Sequence, residues 1–311
     1  MIEIEKLGKR YNGVTALDDF SLSVGDGELF GLVGPNAAGK TTLIKILSTL
    51  LPPDSGRATI AGHDIADDSR ATRALVGYMP DVPGLYQDLQ VREFLAFFAE
   101  AFHLHGQRKR AAVDRALGWS GLADRASAYV EQLSLGMKQR LVLARTLLHD
   151  PKVLLLDEPA TGLDPLARIE LREQLKNLQR QGVTIFISSH ILSDLEDICT
   201  RVAFIAAGRN AADAEGRNVL DMRRAETPVI TCEIETIGSA QTAAAAAGQF
   251  PGARVPEVGE ASLRVELTGT PDQAVALLRH LVGHGIQILR FDPRGPDLEE
   301  RYRTMFGRKP S

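Results

Sequence analysis

The segment from Leu29 to Thr42 constrains the fold of this chain more than any other. It opens with a short apolar run, Leu29–Val33, which indicates a buried parallel strand. The residues from Gly34 to Thr41 follow the pattern G-x-x-x-x-G-K-T, which is the phosphate-binding loop motif. From Leu43 to Leu50 apolar residues recur every three to four positions, as in a helix. The motif therefore occurs between a strand and a helix, which is the context that phosphate binding requires.

Each part of this loop has a chemical role. Glycines let the backbone wrap around phosphate oxygens, and successive N–H groups point inward at the start of the following helix. Lys40 would reach the β- and γ-phosphates, and the hydroxyl of Thr41 would ligate Mg²⁺. The alternative, a glycine-rich turn that binds nothing, is disfavoured by the flanking strand and helix. We expect the nucleotide to be held by Gly34, Pro35, Asn36, Ala37, Ala38, Gly39, Lys40, Thr41 and Thr42.

Composition disfavours several classes of protein. The chain has 311 residues and a net charge of −4, so it does not present the basic balance of a nucleic-acid-binding protein. Its cysteines, Cys199 and Cys232, lack metal-like spacing and are expected to be free thiols in a reducing compartment. The first residues do not resemble a signal peptide, and there is no run of about 20 apolar residues that could span a membrane. In a membrane process, a partner would have to supply the membrane span.

A second buried strand, Val153–Leu156, ends in two adjacent carboxylates. The first, Asp157, is placed to hold Mg²⁺ beside the phosphate loop, directly or through water. The second, Glu158, points elsewhere and can orient and deprotonate an attacking water. His190 ends a neighbouring strand and could face the same place. The alternatives are a solvated strand end for the carboxylates and a surface position for the histidine.

The remaining periodicity predicts an α/β chain. Alternating residues at 2–7 and 20–24, with a short strand at 57–61, indicate an antiparallel region wrapped around the parallel strand. The pattern is helical from Val91 to about Asp124, and its aromatic residues are expected to be core. Alternating helices and strands continue to about residue 206, including helices expected at 40–50 and 191–199.

The order of the motifs along the chain resembles one family. After the phosphate loop come GYMPD (77–81), LSLGMKQR (133–140), LLLDEP (154–159), TGLDP (161–165) and SSH (188–190). With these motifs, residues 1 to about 224 resemble the ATP-binding subunit of ATP-binding cassette (ABC) transporters. The wording of residues 84–102 and 136–151 is similar to the branch that pairs with ABC-2 type permeases, which are mainly exporters.

This resemblance implies a fold and a chemistry. The fold would be a P-loop NTPase ABC cassette over residues 1–224, with a parallel-sheet core, an antiparallel β subdomain and a helical subdomain at about 88–150. ATP and Mg²⁺ would be the cofactors, with Thr41 and Asp157 as metal ligands and Lys40, Glu158 and His190 as the catalytic residues. Tyr11 matches the aromatic residue that stacks on adenine, although a purely structural tyrosine is a fair alternative.

The resemblance also implies a second subunit. Ser134 and Gly136 precede a long helix, whose N-terminus carries about half a positive charge and is an anion site. In the family, that site binds the γ-phosphate of ATP held by the other subunit, so that two chains enclose two nucleotides. Asp164 would lie at the seam of this homo- or heterodimer.

A membrane partner follows from the same resemblance. The chain would be peripheral, at the cytoplasmic face of the cell membrane, through an integral permease of the ABC-2 type that is typical of this branch. The cleft beside Asp81 and Pro83 would receive the coupling helix of the permease. The permease would determine both the substrate and the direction of transport.

Three positions depart from the family pattern. Ala37 replaces a common glycine of the loop, with little effect expected. Leu135 replaces the first signature glycine; if it displaced one phosphate donor, the loss would be on the order of 10²- to 10³-fold in rate. Asp81 replaces the glutamine that ligates Mg²⁺, and a carboxylate about 6 Å from Glu158 would cost roughly 3 kcal/mol at an effective dielectric constant of 20. Two roles are open for Asp81, as a metal ligand and as a residue of the coupling loop only.

The last part of the chain, residues 225–311, lacks these motifs. Its predicted order β-α-β-β-α-β favours a small ferredoxin-like α+β module, reached through a linker near RRAETPV (223–229). A final helix is expected at Asp297–Phe306. His280 and His284 are spaced as a metal pair on a helix, but lack a nearby third ligand and are expected to be surface or interface residues.

The sequence therefore predicts an ATP-hydrolysing subunit that powers a transporter through dimer closure. One alternative is a soluble ABC ATPase that acts outside transport, in translation or DNA repair. A second is a nucleotide-gated, non-catalytic partner in a heterodimer, with Asp81 and Leu135 marking a weakened site.

Overall fold

The computed structural model describes residues 1–82, 84–191, 193–196, 198–211, 219–221, 229–268 and 271–294. The chain divides into two compact units, Met1–Met222 and Arg223–Ser311. The predicted linker falls almost wholly outside the described residues, and the predicted helix at Asp297–Phe306 and the proposed docking residue Pro83 lie outside them altogether.

The first unit alternates strands and helices. Its strands are β1 Ile2–Tyr11, β2 Val14–Val24, β3 Leu29–Val33, β4 Ser55–Ile60, β5 His63–Asp64, β6 Val76–Met79, β7 Val153–Asp157, β8 Thr184–Ser189, β9 Arg201–Ala206, β10 Arg209–Ala211 and β11 Val219–Asp221. Its helices are α1 Lys40–Leu47, α2 Ser69–Leu75, α3 Val91–Ala101, α4 Gly106–Ser120, α5 Leu135–Thr146, α6 Pro165–Arg180 and α7 Ser193–Glu196.

The central sheet has a parallel core. Its strands lie in the order β9, β3, β8, β7, β6, and each neighbouring pair is parallel. Strands β10 and β11 pair antiparallel with β9. Every residue of β3 and β7 is buried, as expected for strands covered on both faces. The predicted parallel strand at Leu29–Val33 is therefore confirmed.

A separate antiparallel sheet, in the order β2, β1, β4, β5, packs its apolar face with α1 around one core. Strands β1 and β2 are longer than the sequence pattern predicted. Asn12 and Gly13 both have positive φ, 44° and 88°, and close a two-residue hairpin between Tyr11 and Val14. An Asn-Gly pair is the preferred sequence for such a turn, so the signal was present.

Helices α3, α4 and α5 enclose a second apolar cluster, which includes Phe94, Leu117 and Leu141. The expectation that the aromatic residues of α3 are core is wrong in part, because Phe97 is 50% exposed. It lies three residues from Phe94, but on the edge of the buried face. None of the helices within the described residues is both long and apolar enough to cross a membrane.

Two predicted helices are shorter than expected. Helix α1 ends at Leu47 because Thr49 adopts φ = 60° and Leu50 N bonds back to Lys45 O. Of the helix expected at 191–199, the described residues form α7, and residues 191, 198 and 199 are not helical. There the Ser189 hydroxyl accepts a hydrogen bond from Ile191 N at 2.9 Å, and this local bond competes with helical bonding.

The second unit has the predicted ferredoxin-like topology. Its elements are β12 Val229–Thr236, α8 Ala240–Ala247, β13 Ala253–Val258, β14 Ser262–Thr268, α9 Pro271–Gly283 and β15 Ile288–Arg294. The strands lie in the order β13, β14, β12, β15, all antiparallel. Both helices contribute to its apolar core, which also contains Cys232. His280 Nε2 bonds with Ala246 O at 3.1 Å, and His284 Nδ1 with His280 O at 2.8 Å, so each ring is tied to backbone.

Candidate functional site

The phosphate loop leads from buried strand β3 into α1, and two of its glycines are sterically required. A Cβ on Gly34 would collide with the carbonyl oxygen of Ile205, and one on Gly39 would lie 2.5 Å from Ala16 O. Gly39 also has φ = 110°, which other residues rarely adopt. The close approach of β2 and β9 therefore fixes both ends of the loop.

Ala37 is exposed but has an unusual backbone. Its φ of 64° lies in the left-handed region, which costs a non-glycine residue roughly 1–2 kcal/mol. The expectation of little effect considered only the added methyl group. The structure adds a conformational cost at this position, which explains why glycine suits it.

Lys40 is nearly fully buried at the first position of α1. Its Nζ donates to Gly34 O at 2.7 Å and to Pro35 O at 3.2 Å. The same atom lies 3.3 Å from Glu158 Oε1. The loop carbonyls and the acidic strand end thus hold the ammonium group between them.

Asp157 is fully buried at the end of β7. Its Oδ1 accepts a hydrogen bond from Ser188 Oγ at 2.7 Å. Its Oδ2 is buried and has no hydrogen-bond partner among the described residues. An uncompensated carboxylate oxygen is costly in such a place, and a hard cation satisfies it.

The surroundings of Asp157 thus fit Mg²⁺. The described residues contain no group of three His, Cys, Asp or Glu side chains that could hold a metal without further ligands. Mg²⁺ is usually bound through one or two carboxylates together with water and substrate phosphates.

Glu158 connects Lys40 and His190. Its Oε2 lies 2.7 Å from His190 Nδ1 and accepts from His190 N at 3.3 Å, while Oε1 faces Lys40. Its φ of 49° is left-handed, a strained conformation of the kind that recurs at functional sites. The backbone turn directs Glu158 away from Asp157, as the sequence predicted for adjacent carboxylates.

Ser188 is a site residue that sequence reasoning missed. It lies directly opposite Asp157 on the neighbouring strand β8. Its hydroxyl donates to Asp157 Oδ1 and accepts from Glu158 N at 3.1 Å, so it contacts both acidic residues. The motif SSH was noticed for its histidine only. Knowing that β7 and β8 are neighbours would have revealed the serine.

Asp81, just beyond β6, belongs electrostatically to the same cluster. Partial burial raises its pKa, and the charges of Asp157 and Glu158 raise it further. His190 and Lys40 act in the opposite direction. Within β6, burial raises the pKa of Tyr78 to about 12, with smaller contributions from the charges of Asp157 and Asp81. The charges of the acidic pair therefore act on Asp81, and its role as a ligand stays a prediction.

Tyr11 ends β1 with its ring 40% exposed. Lys9 Nζ lies 5.8 Å from the ring centroid. The ring therefore presents surface to a ligand, and stacking on adenine stays a prediction.

Ser134 and Gly136 lie at the start of α5. Ser134 is the N-cap, and its Oγ accepts from Met137 N at 3.3 Å. Gly136 faces Ala167, whose Cβ would be 3.2 Å from an added Cβ. Asp164 caps α6 through a bond from Ala167 N at 2.9 Å. These residues form a second group beside the turn between β7 and α6.

Comparisons with known proteins agree with this geometry. A family model described as ABC transporter matches residues 17–161. The chain is 41% identical over 220 residues to a Nod factor export ATP-binding protein I of Burkholderia pseudomallei (strain 1710b), covering 71% of this chain and 72% of that protein. A protein of the same name from Burkholderia thailandensis is 35% identical over 316 residues, covering 99% and 97%. A solved ATP-binding subunit of an ABC transporter has a TM-score of 0.61 and 32% identity, covering 67% of this chain and 87% of that chain.

Proposed function

This chain belongs to the ATP-binding subunits of ABC transporters, which are ATPases, and from that premise we propose that it powers export through a separate ABC-2 type permease. The export assignment is supported by the relatives, which are named for Nod factor export and daunorubicin resistance. The observation that carries the catalytic part is the bridge that Glu158 makes between Lys40 and His190.

In the proposed mechanism, this chain's loop and strand ends hold ATP and its metal. Gly34–Thr42 cradle the phosphates, and Lys40 exchanges its loop carbonyls for phosphate oxygens. Thr41 and the unpartnered Oδ2 of Asp157 would ligate Mg²⁺, and Asp81 is the third candidate. When bound, Mg²⁺ neutralises charge on the transferred phosphoryl group. Tyr11 would stack on the adenine base.

Glu158 acts as the general base. Its carboxylate accepts the proton of the attacking water, and His190 fixes one of its oxygens through Nδ1. His190 is exposed and would also contact the γ-phosphate. Lys40 orients the other oxygen in the free site and moves to phosphate when ATP binds.

The site is completed by a second chain. The start of α5 presents the exposed Ser134 and backbone N–H groups of its first turn, which suits a phosphate. Within one chain, Gly136 lies against Ala167 of α6 and Leu163, and Leu135 lies against Gly162 in the turn before α6. We therefore place Ser134 and Gly136 on the γ-phosphate held by a partner subunit, with Asp164 near the seam.

The permease would dock on an exposed aromatic surface that includes Tyr86, five residues after Asp81 in the chain. Tyr86 and Phe97 are each 50% exposed, and their ring centroids are 5.4 Å apart. Phe98 lies behind them, 5.2 Å from Phe97. Such a surface suits an amphipathic segment of a partner. Docking there would keep the chain at the cytoplasmic face of the membrane.

ATP hydrolysis by the purified chain, alone and with its permease in lipid, tests this function. We expect Lys40→Ala to lower kcat by at least about 100-fold, whereas Lys45→Ala, further along α1, keeps it. Hydrolysis stimulated by the permease supports the transport motor. Binding without hydrolysis in both settings would favour the non-catalytic heterodimer partner, and hydrolysis with no response to any permease would favour a soluble ATPase.

A further inference from the structure

Leu135, the residue that replaces a signature glycine, contacts the turn that carries Glu158. Its side chain is 51% exposed. A Cβ built on Gly162 would lie 3.0 Å from Leu135 Cδ2, the only atom of the described residues within 4 Å of it beyond the chain neighbours. The leucine therefore covers one face of Gly162, and a glycine at position 135 would leave that face open.

Gly162 is part of a continuous hydrogen-bonded turn. Thr161 N donates to Glu158 O at 3.1 Å, and Leu163 N donates to Ala160 O at 3.2 Å. The turn begins at the catalytic carboxylate and ends at Asp164, which caps α6. Gly162 is thus four residues from Glu158 in a short, hydrogen-bonded segment, so a displacement of Gly162 reaches Glu158 through few bonds.

A second contact makes this connection stiff. An added Cβ on Gly136 would lie 3.2 Å from Ala167 Cβ and 3.9 Å from Leu163 Cδ2. Leu163 is buried. The first turn of α5 therefore rests on the turn and on α6 at two adjacent positions. Closely packed elements transmit displacement rather than absorb it.

We propose that Leu135 is a positioning residue that links the nucleotide held by the partner subunit to Glu158 of its own chain. This inference rests on the proposed function, in which Ser134 and Gly136 receive the partner's γ-phosphate. When the dimer closes, the partner's γ-phosphate binds at the start of α5 and presses Leu135 against Gly162. This contact fixes the position of the turn from which Glu158 extends. Each site is then adjusted by the occupancy of the other.

Mixed dimers separate this role from direct phosphate contact. One chain keeps Glu158, and the other carries Glu158→Gln, so that only the first chain hydrolyses ATP. Leu135→Ala is placed either in the active chain or in the silent chain. In the active chain, position 135 adjoins the intact Glu158 but faces the nucleotide that the silent chain binds and does not hydrolyse. In the silent chain, position 135 faces the nucleotide that the active chain hydrolyses.

We expect Leu135→Ala in the active chain to lower kcat by about five- to tenfold with an unchanged KM, because the carboxylate is misplaced. In the silent chain the same change affects KM at most. Leu135→Met in the active chain, which keeps a long apolar side chain, should retain the kcat that Leu135→Ala loses. Leu166→Ala, which removes a 66% exposed leucine at the start of α6, leaves kcat unchanged.

Other outcomes overturn the inference. A kcat loss only when the silent chain is altered, or no kcat loss in either position, means that Leu135 does not act through its own turn. Failure of the proposed function has a different signature. In that case dimers with Glu158→Gln in both chains hydrolyse ATP as fast as the mixed dimers.

Discussion

The Nδ1 atom of His190 lies 2.7 Å from Oε2 of Glu158, across the ends of neighbouring strands. When Glu158 is ionised it can only accept, so Nδ1 carries the proton in this bond. The bond fixes the tautomer of the ring and leaves Nε2 free to act as an acceptor or donor towards a ligand. The same carboxylate meets Lys40 through its other oxygen. Glu158 is thus oriented from both sides before ATP binds.

Glu158→Gln keeps this shape but removes the base. We expect hydrolysis to fall by about 10²- to 10⁴-fold, because an amide cannot take the proton of water, while ATP binding persists. Steady-state hydrolysis and nucleotide binding by fluorescence measure the two effects. Glu173→Gln, on the exposed side of α6, is the matched control. Wild-type turnover by Glu158→Gln would refute the assignment of the base.

Ser188→Ala removes the hydroxyl that connects both acidic residues. Asp157 Oδ1 loses its donor, and we expect a loss of about 1–3 kcal/mol in the free energy of unfolding, with reduced kcat. Urea denaturation and ATP hydrolysis report these changes. Ser189→Ala tests the neighbouring hydroxyl, which bonds to Ile191 instead. It should lower stability but largely spare kcat. The positioning role of Ser188 fails if both variants hydrolyse ATP equally.

His149 makes stability sensitive to acid. Its ring stacks on Phe102 with centroids 4.1 Å apart, Nε2 lies 3.0 Å from Val76 O, and Nδ1 is buried without a partner among the described residues. Burial is the main cause that lowers the pKa of His149 below the ordinary value of 6.5. The unfolded chain therefore takes up a proton that the folded chain resists. The stability that neutral His149 contributes is present above about pH 6.5, the ordinary pKa of histidine, and declines as the pH falls below that value.

Urea denaturation of wild type and His149→Gln at about pH 7.5 and about pH 5.5 measures this effect. The glutamine can donate to Val76 O but does not titrate, so the variant should lose less stability on acidification than wild type. His105→Gln, which alters an exposed histidine, is the matched control. An equal acid response in wild type and His149→Gln would show that this histidine is not responsible.

Gly77 permits the close approach of α5 to β6. A Cβ at this position would lie 2.6 Å from Thr146 O and 2.8 Å from Leu154 Cδ2. We expect Gly77→Ala to destabilise the protein by about 1–3 kcal/mol, because neither neighbour can move freely. Gly118→Ala is the opposite case, within α4 and with open space around it, and should stabilise by about 0.5–1 kcal/mol. Thermal unfolding of both variants checks the signs, and a neutral Gly77→Ala would disprove the tight contact.

The positions of the candidate catalytic residues at strand ends and in the loop were largely predictable, because each of them belongs to a local pattern. The bounds of strand β3 were predicted to the residue, since a short apolar run before the loop motif indicates a buried parallel strand. Asp157 and Glu158 followed from their place at the end of a buried strand. The ferredoxin-like order of the second unit was predicted from alternation alone.

What the sequence left open depends on contacts between distant elements. Ser188 meets Asp157 through the pairing of β7 with β8, which no local pattern records. The contact of Leu135 with Gly162 depends on the packing of α5 against the turn before α6. The exposure of Phe97 depends on where α3 meets its neighbours. In each case the residue type was visible and its partner was not.

The central claim is that a catalytic site is made by two chains, and mixing two defective chains tests it most directly. Lys40→Ala disables the phosphate loop. Ser134→Asp keeps the helix cap but sets a negative charge where the partner's phosphate would lie. A homodimer of either variant should be inactive, because each of its two sites contains a defect. A mixed dimer contains one intact site, so an equal mixture should recover up to roughly a quarter of wild-type hydrolysis. A mixture as inactive as its separate components would contradict the shared site.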